Sequence, residues 1–208
     1  MKILSHRGYW LQTTEKNTEE AFKRSFDLGF GTETDIRDLA GELVISHDMP
    51  LGNEKTLEAF LNLLQGKNLP LAINIKSDGL AKLLNKIMVK KEIKDWFVFD
   101  MSIPDTKLYI EEGIPVFIRA SELEIQPPWL NLASGIWLDS FHSTWFNVVY
   151  LKSLFESVPK VCIVSPELHK RDYLDTWEML LPLRKQSGLM LCTDHPEKAK
   201  IFFGANDD

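Results

Sequence analysis

The chain has 208 residues and a mass of 23.9 kDa, enough for one domain of ordinary to large size with its own core. Hydrophobic residues at 44% and charged residues at 26% exclude a disordered or low-complexity protein. A net charge of −6 and a pI near 5.4 argue against broad electrostatic binding to nucleic acid or to an anionic membrane.

Met1-Lys2 leads straight into Ile3-Leu4-Ser5-His6, too short and too soon interrupted for a signal peptide. No apolar run reaches membrane-spanning length, so a cytoplasmic protein without membrane insertion is expected. Residues 2–5 predict a first strand ending at His6-Arg7-Gly8. A helix follows, capped by Asn17 or Thr18, with Glu19 and Glu20 at its positive end and a buried stripe of Ala21, Phe22, Ser25 and Phe26. Residues 32–37 predict the second strand, and a turn at Ala40-Gly41 leads into the apolar run 43–45 and then Ser46-His47-Asp48.

Further strands are predicted at 71–76, 96–100, 115–119, 135–139, 160–165 and 189–193. Helical patterns at 56–64, 80–91, 105–112, 147–156, 173–184 and 197–203 separate most of them. Cys162 and Cys192, the only cysteines, lie within apolar runs and read as buried free thiols, with a disulfide between neighbouring strands as the alternative. Strands apolar on both faces, separated by helices, imply parallel pairing through right-handed crossovers. Eight such units predict a compact, single-domain (β/α)8 TIM barrel over 1–204, with a polar tail at 205–208. An open doubly wound sheet is the alternative, because 122–134 contains Pro127-Pro128 and lacks a helical pattern.

Chemistry in such a barrel collects where the strands end. Those ends carry His6 and Arg7, Glu33 and Asp35, Asn74 and Lys76, then Asp100, Arg119, Asp139, Glu167 and Thr193-Asp194. Glu33 and Asp35 leave one face of their strand together and need a positive partner. That partner is either a hard divalent cation or an ion-pair network with Arg7, Arg37 or Lys76. His142, His169 and His195 fall in loops and read as surface residues. Trp10, Trp137 and Trp145 read as core or rim packing, with Trp10 and Trp145 also able to line a groove.

Five elements occur in a fixed order: His6-Arg7-Gly8, Glu15-Lys16-Asn17-Thr18 with Ala21-Phe22, Glu33-Thr34-Asp35, His47-Asp48 and Asn74-Ile75-Lys76. Together they resemble the glycerophosphodiester phosphodiesterase family, part of the group of barrels that includes phosphatidylinositol-specific phospholipase C. The resemblance is specific over the first third of the chain and architectural afterwards, although 193–197 resembles the family's ending.

It implies cleavage of a small phosphodiester with help from Mg²⁺ or Ca²⁺. His6 and His47 would be general base and general acid, Glu33 and Asp35 metal ligands, and Arg7 and Lys76 phosphate ligands, with Arg119 as a further phosphate candidate. Two imidazoles can pass one proton in and one out, and cations neutralise the charge that develops on the phosphoryl group. Two departures stand out. Asn74 occupies the position of the family's third metal carboxylate, so an amide replaces a charge there, and Asp139, then Glu167, are candidates to compensate. The segment 49–54 is shorter than the family's insertion. A catalytically weakened barrel that binds a phosphorylated ligand or partner is the second hypothesis, and a sugar-phosphate isomerase or aldolase the third.

Overall fold

The computed structural model describes residues 1–125 and 127–204, and the predicted tail at 205–208 lies outside them. The chain opens with β1 (Lys2–His6), α1 (Glu19–Asp27), β2 (Gly31–Leu39), β3 (Glu42–Ile45), α2 (Leu57–Asn62), β4 (Leu71–Ile75) and α3 (Ala81–Lys90). It continues with β5 (Trp96–Phe99), α4 (Ile103–Glu111), β6 (Phe117–Ala120), β7 (Gly135–Leu138) and α5 (Val148–Ser157). β8 (Val161–Val164), α6 (Leu174–Leu180), β9 (Leu189–Thr193) and α7 (Pro196–Gly204) complete it.

The strand order is β5-β4-β2-β1-β9-β8-β7-β6, with parallel ladders between neighbours, while β3 folds back antiparallel on β2. Its two ends meet: Val98 bridges Val116 in parallel, and Val98 N–H donates to Pro115 O at 2.9 Å. The sheet is therefore a barrel, and the open-sheet alternative is set aside. As Pro127-Pro128 foreshadows, the β6–β7 connection forms no α-helix among the described residues, only a 3-10 turn at Leu130–Leu132.

Three apolar layers hold this together. Leu4, Ala72, Phe97, Phe99, Phe117, Trp137, Cys162, Val164, Met190 and Cys192 fill the barrel interior. Two further clusters lie between strands and helices, one under α1 to α4 and one under α5 to α7. The predicted stripe of α1 is the buried one, and Phe22 and Phe26 meet Phe60 of α2 at ring-centroid distances of 4.6 and 6.0 Å. Thr18 caps the helix by accepting from Ala21 N–H. Gly8 is required where the chain leaves β1, because its φ is +81° and a Cβ there would lie 2.7 Å from Ala21 Cβ. Cys162 and Cys192 are buried free thiols on adjacent strands, so the disulfide alternative is not realised. No helix among the described residues is long and apolar enough to cross a membrane.

Candidate active site

Strand alternation carries the interior layer up into a polar one. Leu4, Ala72, Phe117, Trp137 and Cys192 face inward, so the next inward positions toward the strand ends are His6, Asn74, Arg119, Asp139 and Asp194. Glu33 and Asp35 join them from β2, at 2% and 0% exposure. Two clusters result.

The first spans β9, β1, β2 and β4. His6 Nδ1 lies 2.7 Å from Asp194 Oδ1, which makes Nδ1–H the donor and leaves Nε2 with its lone pair, 4.0 Å from Glu33 Oε2. Burial holds the His6 imidazole below its ordinary range, against the opposing hydrogen bond and charge of Asp194. Burial pushes the Asp194 carboxyl up, but its hydrogen bond and charge interaction with His6 outweigh that, and it lies below its ordinary value. Glu167 sits behind Asp194, accepting from its N–H at 3.1 Å and from the hydroxyls of Ser165 and Thr193.

Asp35 is the hub of the same cluster. It pairs with Arg7 Nε at 3.0 Å and Lys76 Nζ at 3.5 Å, and accepts from Asn17 Nδ2 at 2.9 Å. Asn17 is fixed in turn by Thr34 Oγ1, which donates to its Oδ1 at 2.9 Å. Arg7 and Asn17 both hold left-handed φ, 59° and 60°, a backbone state that costs about 1–3 kcal/mol each. Arg7 N–H donating to Glu33 O at 3.0 Å, and Asn17 N–H to Arg7 O at 2.9 Å, keep it in place. Glu33 also accepts from Arg7 N–H through Oε2, at 3.2 Å. Burial first and the charge of Asp35 second hold its carboxyl well above the usual carboxylate range.

His47 reaches the rim from the segment that follows β3. Its Nδ1 lies 2.9 Å from Asp48 Oδ1, and it shares with Arg7, Lys16 and Asn17 the wall of an open groove of about 460 Å³. Its side chain is 43% exposed, against 14% for His6. The structure thus brings His6, Arg7, Glu33, Asp35 and Lys76 into contact and sets His47 on the flank.

The second cluster spans the ends of β5 to β8 and holds two of the predicted residues. Arg119 pairs through Nη1 with Asp100 at 3.1 Å and through Nε with Glu124. Asp139 Oδ1 accepts from His169 Nε2 and from Ser140 N–H, both at 2.7 Å. His169, expected on the surface, is instead half-buried against Asp139 and the Phe141 ring, because the turn after β8 folds back over the barrel mouth. Trp10 and Trp145 donate their indole N–H to His6 O at 3.1 Å and Asp139 O at 2.8 Å, one beneath each cluster. Asp194 and Asp100 were visible as strand-end carboxylates, yet their partners were not. His169 had no pattern to mark it.

A divalent cation can be tested against two orphaned oxygens. Asp35 Oδ1, which faces Lys76 Nζ at 3.5 Å, and Asn74 Oδ1 are buried without a hydrogen-bond partner, on register-paired positions of β2 and β4. Burial holds the Asp100 carboxyl above its ordinary range, against the opposing charges of Arg119 and Lys76. With the desolvated Glu33 beside it, the pair of orphaned oxygens fits a hard cation such as Mg²⁺ or Ca²⁺. Among the described residues no cluster of three or more His, Cys, Asp or Glu side chains could hold a metal, the third oxygen here being an amide.

No protein-family model and no curated protein matches the sequence. Solved structures do. A glycerophosphodiester phosphodiesterase from Agrobacterium tumefaciens str. C58 is 18% identical over 99% of each chain, with a TM-score of 0.70. A second protein from that strain, provisionally a glycerophosphoryl diester phosphodiesterase, reaches 0.75 at 12% identity, over 99% of this chain and 98% of its own. A phosphodiesterase from Oleispira antarctica, solved with the product sn-glycerol-3-phosphate, reaches 0.71 at 15% identity, over 98% and 97% of the two chains. A phosphoribosyl anthranilate isomerase from Thermus thermophilus covers as much, 98% and 97%, at a TM-score of only 0.55 and 13% identity. The chain therefore has the barrel fold of the glycerophosphodiester phosphodiesterases, and resembles them in shape more than it does that isomerase.

Proposed function

We propose that the protein is a metal-dependent phosphoric diester hydrolase acting on a glycerophosphodiester or a related small phosphodiester. The observation that carries this is the His6–Asp194 pair beside the Arg7, Glu33, Asp35 and Lys76 cluster: an oriented neutral base next to two cations and a carboxylate pair. Asp194 fixes the His6 tautomer, so Nε2 takes the proton of the attacking water or substrate hydroxyl, and burial holds the imidazole below its ordinary range. Arg7 and Lys76 turn from Asp35 to the phosphoryl oxygens and neutralise their developing charge. His47, more exposed and on the groove side, gives a proton to the departing alcohol. Mg²⁺ or Ca²⁺, held by Glu33, Asp35 and Asn74 Oδ1, would polarise the phosphoryl group.

The test is hydrolysis of bis(p-nitrophenyl) phosphate and glycerophosphocholine with EDTA, Mg²⁺ or Ca²⁺ added. Turnover that EDTA abolishes and the metal restores is the expected result. Turnover that is indifferent to EDTA removes the metal from the mechanism. The neutral Asn74 favours one further reading, a barrel retired to ligand binding. A silent wild type that gains activity on Asn74→Glu establishes that reading instead.

A further inference from the structure

We infer that Glu167 is a positioning residue for His6 and acts on it through Asp194. Its effect on turnover rests on the proposed phosphodiesterase activity; the geometry it imposes on the His6 ring does not. The ladders of β9 end at Thr193 on the β1 side and at Cys192 on the β8 side, so Asp194 lies beyond the last paired residue of its strand. A partner outside the sheet must therefore hold its N–H. Glu167 is that partner: Oε1 accepts from Asp194 N–H at 3.1 Å and from the Thr193 hydroxyl. The second oxygen, Oε2, accepts from the Ser165 hydroxyl, which in turn accepts from Trp177 Nε1–H at 2.8 Å. Ser165, Thr193 and Trp177 are all buried, so the network is anchored in the core. Glu167 is itself fixed in the 3-10 turn Pro166–His169, where Lys170 N–H donates to its carbonyl at 2.9 Å.

A carboxylate only accepts, and three donors from the ends of β8 and β9 converge on this one. Both its oxygens are engaged, which suits a support for the base better than a compensating metal ligand. Charge-assisted bonds of this kind are about twice as strong as neutral ones. The result is a chain from Trp177 through Ser165, Glu167 and Asp194 to His6, in which each member fixes the next. The imidazole is a rigid ring, so an error at Nδ1 is carried to Nε2, where the proton is taken. A misplacement of about 1 Å can cost about 10²-fold in rate. Glutamine at this position would keep the volume but bring an NH2 among three donors, and at least one contact would turn repulsive.

Glu167→Gln should therefore lower kcat for glycerophosphocholine about 10–100-fold, with KM held within about threefold. In an Asp194→Ala background the same change should cost less than about threefold, because the residue it works through is gone. An equal loss in both backgrounds overturns the inference, and so does a Glu167→Gln enzyme within about threefold of wild type. If the wild type turns over neither this diester nor bis(p-nitrophenyl) phosphate, the phosphodiesterase reading fails by itself. The NMR shifts of the His6 ring nitrogens then decide, recorded at about pH 8, above the ordinary imidazole range, and assigned by their loss in His6→Ala. Wild type should show a protonated Nδ1 and a bare Nε2, and Glu167→Gln a mixture of the two tautomers. A bare Nδ1 in the wild type, or an unchanged ring in the variant, overturns the inference. Should Glu167→Gln not fold, Thr193→Val replaces it, since it removes one of the three donors at nearly equal volume. Mixed tautomers in that variant uphold the positioning role, and a wild-type ring overturns it.

Discussion

The two halves of the barrel mouth stand on different floors. Below β9, β1 and β4 the interior is made of Leu4, Ala72, Met190 and Cys192, which leave depth for Glu33 and Asp35 to sit almost wholly buried. Below β5, β6 and β7 it is filled by aromatic rings, Phe97 stacked on Phe117 at 3.6 Å and Phe99 on Trp137 at 3.8 Å. There Arg119 and Asp100 keep partial contact with water, while Asp139 of the same cluster is buried. A deep, desolvated half suits charges that must act on one another. The lesson is that interior volume, set several residues below the rim, decides what kind of chemistry each strand end can carry.

Three changes sharpen that contrast, in decreasing order of effect. His6→Ala in the deep half should lower kcat by about 10²–10⁴-fold, the usual contribution of a general base, with the circular dichroism spectrum unchanged. A fall below tenfold would move the base elsewhere. Phe117→Ala in the aromatic floor should cost about 3–5 kcal/mol in denaturant unfolding, since it opens a cavity beneath Arg119 and unstacks Phe97. A cost near 1 kcal/mol would mean that the floor repacks and is not what raises that half. Thr18→Ala should cost about 1 kcal/mol by removing the α1 cap. It should act on stability rather than on kcat, because Asn17 keeps its own ties to Asp35 and Thr34.

Much of the deep half was legible in the chain itself. Glu33 and Asp35 are two residues apart on a strand, and His6, Asn74 and Lys76 fall at strand ends, so local alternation suffices to place them. The α1 stripe and its Thr18 cap were equally local. The shallow half was not legible in the same way. His169 and Asp139 are brought together by a turn that only the finished barrel positions, and the role of Asp194, 188 positions from His6, depends on β9 lying beside β1. Nothing periodic marks such pairs.

The sequence by itself determined the alternation of strands and helices, the inward parity of each strand and hence which side chains could reach the mouth. Those properties follow from repeats of two and of 3.6 residues, which are local. Only the tertiary structure decided that the sheet closes through Val98 and Val116, that Asp35 is shared between Arg7 and Lys76, and that Asn74 Oδ1 is buried without a hydrogen-bond partner. Such choices depend on distances between strands far apart in the chain, and on which buried polar atoms find partners once water has been excluded.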